Sequence, residues 1–237
     1  MMDHSECDVL VVGSGAAGLS AALVTAVTGL KTLICEKEPV FGGTSAWSGG
    51  AVWAPANSVA RRAGLHDDVE ACLTYLAACL PPEWMDEERD RLQMFANQAG
   101  PAIDFIMAHS PLRFENLETP DLYMQAAGAR YRGRMLTPCP LSLHVLGRLA
   151  ARLRRPDYSH LFTFNEILVH DPYHHPWRAA GMLAPALVWR VLRRQRAQGS
   201  ALVGGLMAGC QQAGVRLWLE AGVDALEQDG QGRVVAA

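Results

Sequence analysis

Asp8-Val9-Leu10-Val11-Val12-Gly13-Ser14-Gly15-Ala16-Ala17-Gly18 is the stretch that decides the fold. Val9 to Val12 is a short β-branched run, and Gly15 to Gly29 is rich in Ala, Leu and Val, so the pair reads as strand, tight turn and helix. Gly13, Gly15 and Gly18 spell G-x-G-x-x-G between them. Gly13 permits the sharp turn, Gly15 lets backbone approach a pyrophosphate, and Gly18 lets the helix pack close on the strand. With Ser14, Ala16 and Ala17 in the intervening positions, the helix N-terminus presents free N–H groups and a positive dipole end to an anion. Leu30 to Glu36 is a second short apolar strand ending in an acid, with Lys37 beside it. Glu36 falls 18 residues after Gly18, close to the ~20 expected for a carboxylate gripping a ribose hydroxyl. The competing reading is a buried strand–helix pair with no ligand, and the complete β-α-β context favours a dinucleotide.

Val9 to Leu30 carries no charged residue, a length that would also suit a membrane span. Four glycines interrupt it, and the flanking Asp3, Glu6 and Asp8 are acidic where a secretory leader would be positive. A buried parallel strand followed by a core-facing helix produces the same apolar run. The reading is a cytoplasmic protein with no stable membrane span.

Gly42-Gly43-Thr44-Ser45-Ala46-Trp47-Ser48-Gly49-Gly50 follows directly. Two glycine pairs flank small hydroxyl residues, and a flat tricyclic ring lying against backbone needs this absence of side chains. Thr44, Ser45 and Ser48 supply hydroxyls for phosphate or ring nitrogens, and the N–H groups are fixed donors. Composition alone would suit a flexible surface loop; the position after a β-α-β unit points to FAD.

At these residues the chain resembles the flavoprotein family of fumarate reductase and succinate dehydrogenase, the FAD-dependent oxidoreductase 2 group. The wording from Phe41 to Pro55 is most similar to its 3-ketosteroid Δ1-dehydrogenase branch. The resemblance continues through Gly199–Val203, opening a helix, a strand at Gly214–Leu219, and Val223–Leu226 with Gly232–Val235. It implies an α/β fold: a Rossmann-like FAD-binding parallel sheet with a mainly helical and loop insertion forming a partial cap, the C-terminal part of the family fold being absent. Residues 1–60 are the first part of the FAD-binding domain, 61–198 the insertion, and 199–237 the return. FAD is the implied cofactor, with the Val223 backbone near the adenine. The implied reaction acts on a carbon–carbon bond next to a carbonyl, a base taking the α-proton and flavin the β-hydride. A small apolar ketone or steroid-like molecule is the implied substrate. A fumarate reductase-like activity and an inactive FAD-fold remnant stay open, as does the electron acceptor. Pro120-Asp121-Leu122-Tyr123 is similar to a segment of the ketosteroid branch whose tyrosine faces substrate, which makes Tyr123 the implied catalytic residue, a proton acceptor or donor. Leu122 stands where the family often has an aromatic, so Tyr131 is a rival, and a tyrosine that merely packs the loop is an equal alternative.

The family's proteins are much longer than 237 residues. The expectation is an N-terminal portion with an exposed sheet edge, weak FAD binding, a tendency to associate and little turnover alone.

Half of the residues are hydrophobic and the net charge is −3. Cys7, Cys35, Cys72, Cys79, Cys139 and Cys210 show no C-x-x-C pairing or metal spacing and read as reduced thiols, Cys35 in the core. His170, His174 and His175 lack an accompanying ligand set, so no metal is expected, and no G-x-S-x-G wording supports a hydrolase. Charge is segregated: residues 64–121 hold twelve acids and three arginines, residues 130–196 twelve arginines and three acids. Aromatics are not interleaved with the arginines, so no nucleic-acid partner is expected; solvated helix faces, or pairing of the two segments, is the preferred reading. Apolar spacing predicts helices over 66–80 and 86–109, a loop from Pro111 to Pro140, helix over 144–155, an aromatic turn at 172–177 and helix over 185–198.

Overall fold

The computed structural model describes residues 6–237, so Asp3 of the acidic flank lies outside the described residues. In chain order the first elements are β1 (Val9–Val12), α1 (Ala16–Val27), β2 (Thr32–Cys35), β3 (Val52–Trp53), α2 (Ser58–Arg62), α3 (Val69–Cys79) and α4 (Met85–His109). β4 (Phe114–Asn116), β5 (Met135–Pro138), β6 (Leu141–Ser142), α5 (Phe164–His170), α6 (Pro176–Leu192) and β7 (Gln195–Arg196) follow. The last are α7 (Gln198–Gln212), β8 (Arg216–Trp218), β9 (Glu227–Gln228) and β10 (Val234–Ala236).

β1 and β2 pair in parallel from Val9–Thr32 to Val12–Cys35, and β8 pairs in parallel on the other side of β2. The order is β1-β2-β8. β2, in the middle, is buried at every residue, as its apolar Thr-Leu-Ile-Cys run requires, whereas Val12 on the outer strand is exposed. Gly13 turns the chain with φ +94°, in the left-handed region where a side chain is strained. A Cβ on Gly18 would stand 2.1 Å from the Gly13 carbonyl oxygen, so only glycine lets α1 seat against the turn.

α7 is the helix around which the rest is packed. Every residue from Gln198 to Cys210 is buried, against α1, the 3-10 turn Thr44–Ala46, β5 and the segment Leu143–Arg152. Leu19, Leu23, Phe41, Leu112, Val203 and Leu206 lie in its core cluster.

Between Pro111 and Pro140 the expectation of a plain loop is overturned. β4 and β5 lie there and join β3 in an antiparallel sheet of order β3-β5-β4, with Trp53 opposite Met135 and Glu115 opposite Thr137. Each strand is too short and too proline-bounded to show a period of its own. Residues 144–155 are also not one helix: Leu143–Arg152 runs in 3-10 turns and kinks at Gly147, whose φ is +53°. α6 begins at Pro176, nine residues before the expected start at Pro185, which lies inside it. Proline is well placed at a first helical turn, and this start takes Pro176 and Trp177 out of the expected aromatic turn. α5 was not anticipated; Thr163 and Glu166 form its capping box. The helices expected over 66–80 and 86–109 are α3 and α4.

The segregated charges meet across the fold. Arg134, 1% exposed in its side chain, donates to Asp67 at 3.0 and 2.8 Å and to Asp121 at 2.9 Å. Arg132 pairs with Glu118 at 3.1 Å. Each pair takes one member from the acidic segment and one from the basic.

Candidate functional site

The turn after β1, the end of β2 and the loop after it converge on one hydroxyl. Ser14 Oγ donates to Glu36 Oε2 and accepts from the Gly42 amide at 3.0 Å, and the Ser14 amide donates to the same carboxylate oxygen at 3.0 Å. Glu36 Oε1 accepts from the Glu38 amide at 3.1 Å. Burial pushes the Glu36 carboxyl up, but the bonds from Ser14 and the nearby amides outweigh it, so the group is held ionised below its ordinary value.

The glycine-rich loop then folds over the start of α1. Ser45 Oγ accepts from the Ala16 amide at 3.1 Å, and a Cβ on Gly43 would come within 3.7 Å of Gly15 Cα. α1 has no side-chain cap from Gly15 and no acid in its first turn, so no carboxylate of its own compensates its positive end. Ala17 is exposed one turn position further on, and so are Thr44 and Lys37. Ser48 Oγ donates to the Ser45 carbonyl at 2.8 Å and accepts from the Gly50 amide at 3.1 Å, stiffening the loop. The other glycines seat it: Gly49 lies against the Phe164 ring, and Gly50 against the Gln198 backbone. After β8 the chain returns past the same place. The Ala221 amide donates to the Glu36 carbonyl at 2.9 Å and the Glu220 amide to the Glu38 carbonyl at 3.1 Å, and a Cβ on Gly222 would lie 3.7 Å from Lys37 Cβ, with Val223 next along the chain.

Tyr123 lies on a separate loop whose neck is closed by Asp121 and Arg130, bonded through Asp121 N to Arg130 O and Arg130 N to Asp121 Oδ2, each at 2.9 Å. Its amide donates to Tyr75 Oη at 3.2 Å, leaving the side chain 54% exposed. Tyr131, the rival, is more exposed. Trp53 Nε1, three residues beyond Gly50, donates to Asp121 Oδ1 at 2.8 Å. The tyrosine loop is thus tied through Asp121, two residues from Tyr123, to the end of β3 that follows the glycine-rich loop, rather than bonded to the glycine turn itself.

Two features escaped sequence reading. One is the buried Asp67–Arg134–Asp121 cluster, whose partners are 67 and 13 residues apart. The other is His160, fully buried at the start of α7, whose Nδ1 faces both the Ser200 hydroxyl (2.9 Å) and the Ser200 amide (3.2 Å). An N–H aimed at Nδ1 assigns the proton to Nε2. Burial, with Arg196 nearby, pushes this imidazole down to about 4, so it is neutral. No local pattern announces either feature. Among the described residues, no group of His, Cys, Asp and Glu is arranged to hold a metal ion.

This geometry, a glycine turn into a helix with an acid at the end of the neighbouring parallel strand, agrees with a family model described as an FAD binding domain, which matches residues 8–237. The chain belongs to the FAD binding domain family. A 3-oxosteroid 1-dehydrogenase of Mycobacterium tuberculosis (strain ATCC 25618 / H37Rv) is 35% identical over 229 residues, covering 90% of this chain and 39% of the relative. A 4-oxocyclohex-2-ene-1-carboxylate 5-dehydrogenase of Sinomonas cyclohexanicum is 32% identical over 253 residues, covering 98% and 41%. The crystal structure of 3-ketosteroid delta1-dehydrogenase from Sterolibacterium denitrificans, in complex with 1,4-androstadiene-3,17-dione, superposes with a TM-score of 0.80 at 31% identity, covering 94% of this chain and 42% of that one. This FAD binding domain protein therefore spans about two-fifths of the length of the relatives it matches. Among the described residues no helix is long and apolar enough to cross a membrane.

Proposed function

We propose that this chain holds FAD between the Gly13–Gly18 turn and the Gly42–Gly50 loop, as part of an oxidoreductase acting on a carbon–carbon bond next to a ring ketone. The observation that carries the reading is the Ser14 bridge, which gathers phosphate cradle, ribose acid and glycine-rich loop at one point. In this reading the N–H groups of Gly15, Ala17 and Gly18 at the start of α1 hold the pyrophosphate, where the absent Cβ of Gly15 and Gly43 leaves backbone approachable. Glu36, ionised, has acceptor capacity left on Oε1 for a ribose hydroxyl, with Lys37 and Val223 alongside. Thr44, Ser45 and Ser48 line the same loop, and Gly49 and Gly50 keep it seated on α5 and α7.

FAD supplies a two-electron acceptor for hydride when bound. The protein's own part is to bind, orient and handle the proton. Tyr123 Oη, exposed on a loop pinned by Tyr75 and Asp121, gives or takes the proton next to the carbonyl. Relatives named for an oxosteroid and an oxocyclohexene carboxylate support a cyclic ketone as the substrate class.

The cofactor arm is tested by Gly15→Val, which fills the approach to the helix end. Protein that keeps flavin through gel filtration after this change would refute the cradle. For the substrate arm, turnover of a 3-ketosteroid and of a 4-oxocyclohexane carboxylate is followed with an artificial electron acceptor. Tyr123→Phe should abolish it while leaving flavin content unchanged; undiminished turnover would remove Tyr123 from the reaction.

A further inference from the structure

Gln198, the first residue of α7, has a backbone angle that glutamine rarely adopts. Its φ is +53°, in the left-handed region, and it is 1% exposed. Among the described residues four other non-glycine residues have positive φ, Ala56, Asp171, Arg194 and Glu220, and none of them is buried. Strain of this kind persists only where the surroundings over-determine the conformation, and it collects at ligand sites.

Here the surroundings are explicit. Ala197, before the helix, gives no side-chain cap, so nothing local fixes the first turn of α7. Residues 160–162 clamp it instead. The His160 carbonyl accepts from the Ala197 amide at 2.7 Å, the Phe162 carbonyl from Gln198 Nε2 at 2.9 Å, and His160 Nδ1 from the Ser200 amide at 3.2 Å. The same turn carries the glycine-rich loop. The Gly199 amide donates to the Ser48 carbonyl at 3.0 Å, and a Cβ on Gly50 would stand 2.5 Å from the Gln198 carbonyl carbon. The loop therefore rests on a backbone conformation that Gln198 does not prefer, and that its own side chain helps to hold through Phe162.

We propose that Gln198 is a positioning residue for the Gly42–Gly50 loop: its left-handed turn, tethered to the Phe162 carbonyl, sets where the loop lies on α7 and with it the placing of FAD. The FAD part rests on the cofactor reading above; the loop part does not. Gln198→Ala keeps the Cβ, and hence the strain, but loses the tether, so the turn relaxes. Gln198→Gly loses tether and strain together, so the turn stays. The pair separates backbone position from loss of a side chain. Amide exchange over residues 42–50, read by mass spectrometry without flavin, should be at least about fivefold faster in Gln198→Ala and return to the parent rate in Gln198→Gly, with exchange over α1 unchanged in both. Titration with FAD should follow the same order, affinity falling at least about fivefold with alanine and recovering with glycine. The fine structure of the bound flavin's visible band should change with alanine as well, which a loss of global stability alone would not cause. Arg194→Ala, at an exposed left-handed position off the loop, should alter none of these. Equal effects of alanine and glycine overturn the proposal. So does an undisturbed loop in Gln198→Ala, or an equal loss in Arg194→Ala. Parent protein that takes up no FAD, while its loop still obeys the alanine–glycine order, refutes the cofactor reading and supports the assignment of the loop to Gln198.

Discussion

Ser14 and Glu36, 22 residues apart in sequence, are joined twice: the amide and the hydroxyl of Ser14 both donate to Glu36 Oε2. The same hydroxyl accepts from Gly42, so a fully buried serine fastens the ends of β1 and β2 to the loop that follows them.

Ser14→Ala removes that hydroxyl and leaves the Gly42 amide and one side of the carboxylate under-satisfied. The expected cost is about 1–3 kcal/mol of stability, with FAD affinity down by roughly tenfold, measured by urea unfolding and flavin titration. Because the native carboxyl is held below its ordinary value of 4.5, its stabilisation is present above that value and lost as pH falls through the native one. The stability gap between parent and Ser14→Ala should therefore be full at neutral pH and shrink below the ordinary glutamate range.

His160 titrates in the other sense. Its ordinary value of 6.5 falls to about 4 in the folded protein, so between these values the unfolded chain binds a proton that the native one refuses. Stability should drop as pH falls through that window, by about 3 kcal/mol in full. The upper part of the window lies above the range of Glu36 and Asp67, so it isolates the imidazole. His160→Gln, which keeps an acceptor for Ser200, should flatten this slope in urea midpoints measured against pH.

Arg134→Met would remove the buried cation between the Asp67 and Asp121 carboxylates, leaving Asp67 only the half-exposed Arg130 at 3.6 Å. Removing one member of a buried pair costs about 3–5 kcal/mol. The loss should exceed that for Arg132→Met, whose pair with Glu118 is exposed on both sides. Equal effects in denaturant would show that Arg134 is screened by solvent. Burial pushes the Asp67 carboxyl up, but the bonds from Arg134 and the Ala56 amide hold it below its ordinary value.

Gly199→Ala tests the contact between α7 and the glycine-rich loop. A Cβ there would stand 2.2 Å from the Ser45 carbonyl oxygen, which is backbone and has no rotamer to yield. The loop must shift off α7, and flavin retention on gel filtration should fall sharply, while the exposed Gly181→Ala on α6 should change nothing.

What the sequence by itself determined is the unit from Val9 to Glu36. Its signals are local: a β-branched run, three glycines at fixed spacing and an acid at the end of the next strand constrain neighbours that touch through one short helix. The positions of α3 and α4 were legible for the same reason, since a helix writes its period into a single segment, whereas the start of α7 came from the family resemblance. The tertiary structure decided the rest. β4 and β5 exist because they pair with β3 and each other, not because three or four residues around prolines prefer to be strands. The burial of Arg134 depends on Asp67, far away along the chain, and the second role of Ser14 depends on where Gly42 comes to rest. α6 and α7 show the limit most clearly. Both are mainly apolar, yet α7 is enclosed and α6 keeps one whole face uncovered, because enclosure depends on which other elements pack around a helix, and a helix's own residues carry no record of that.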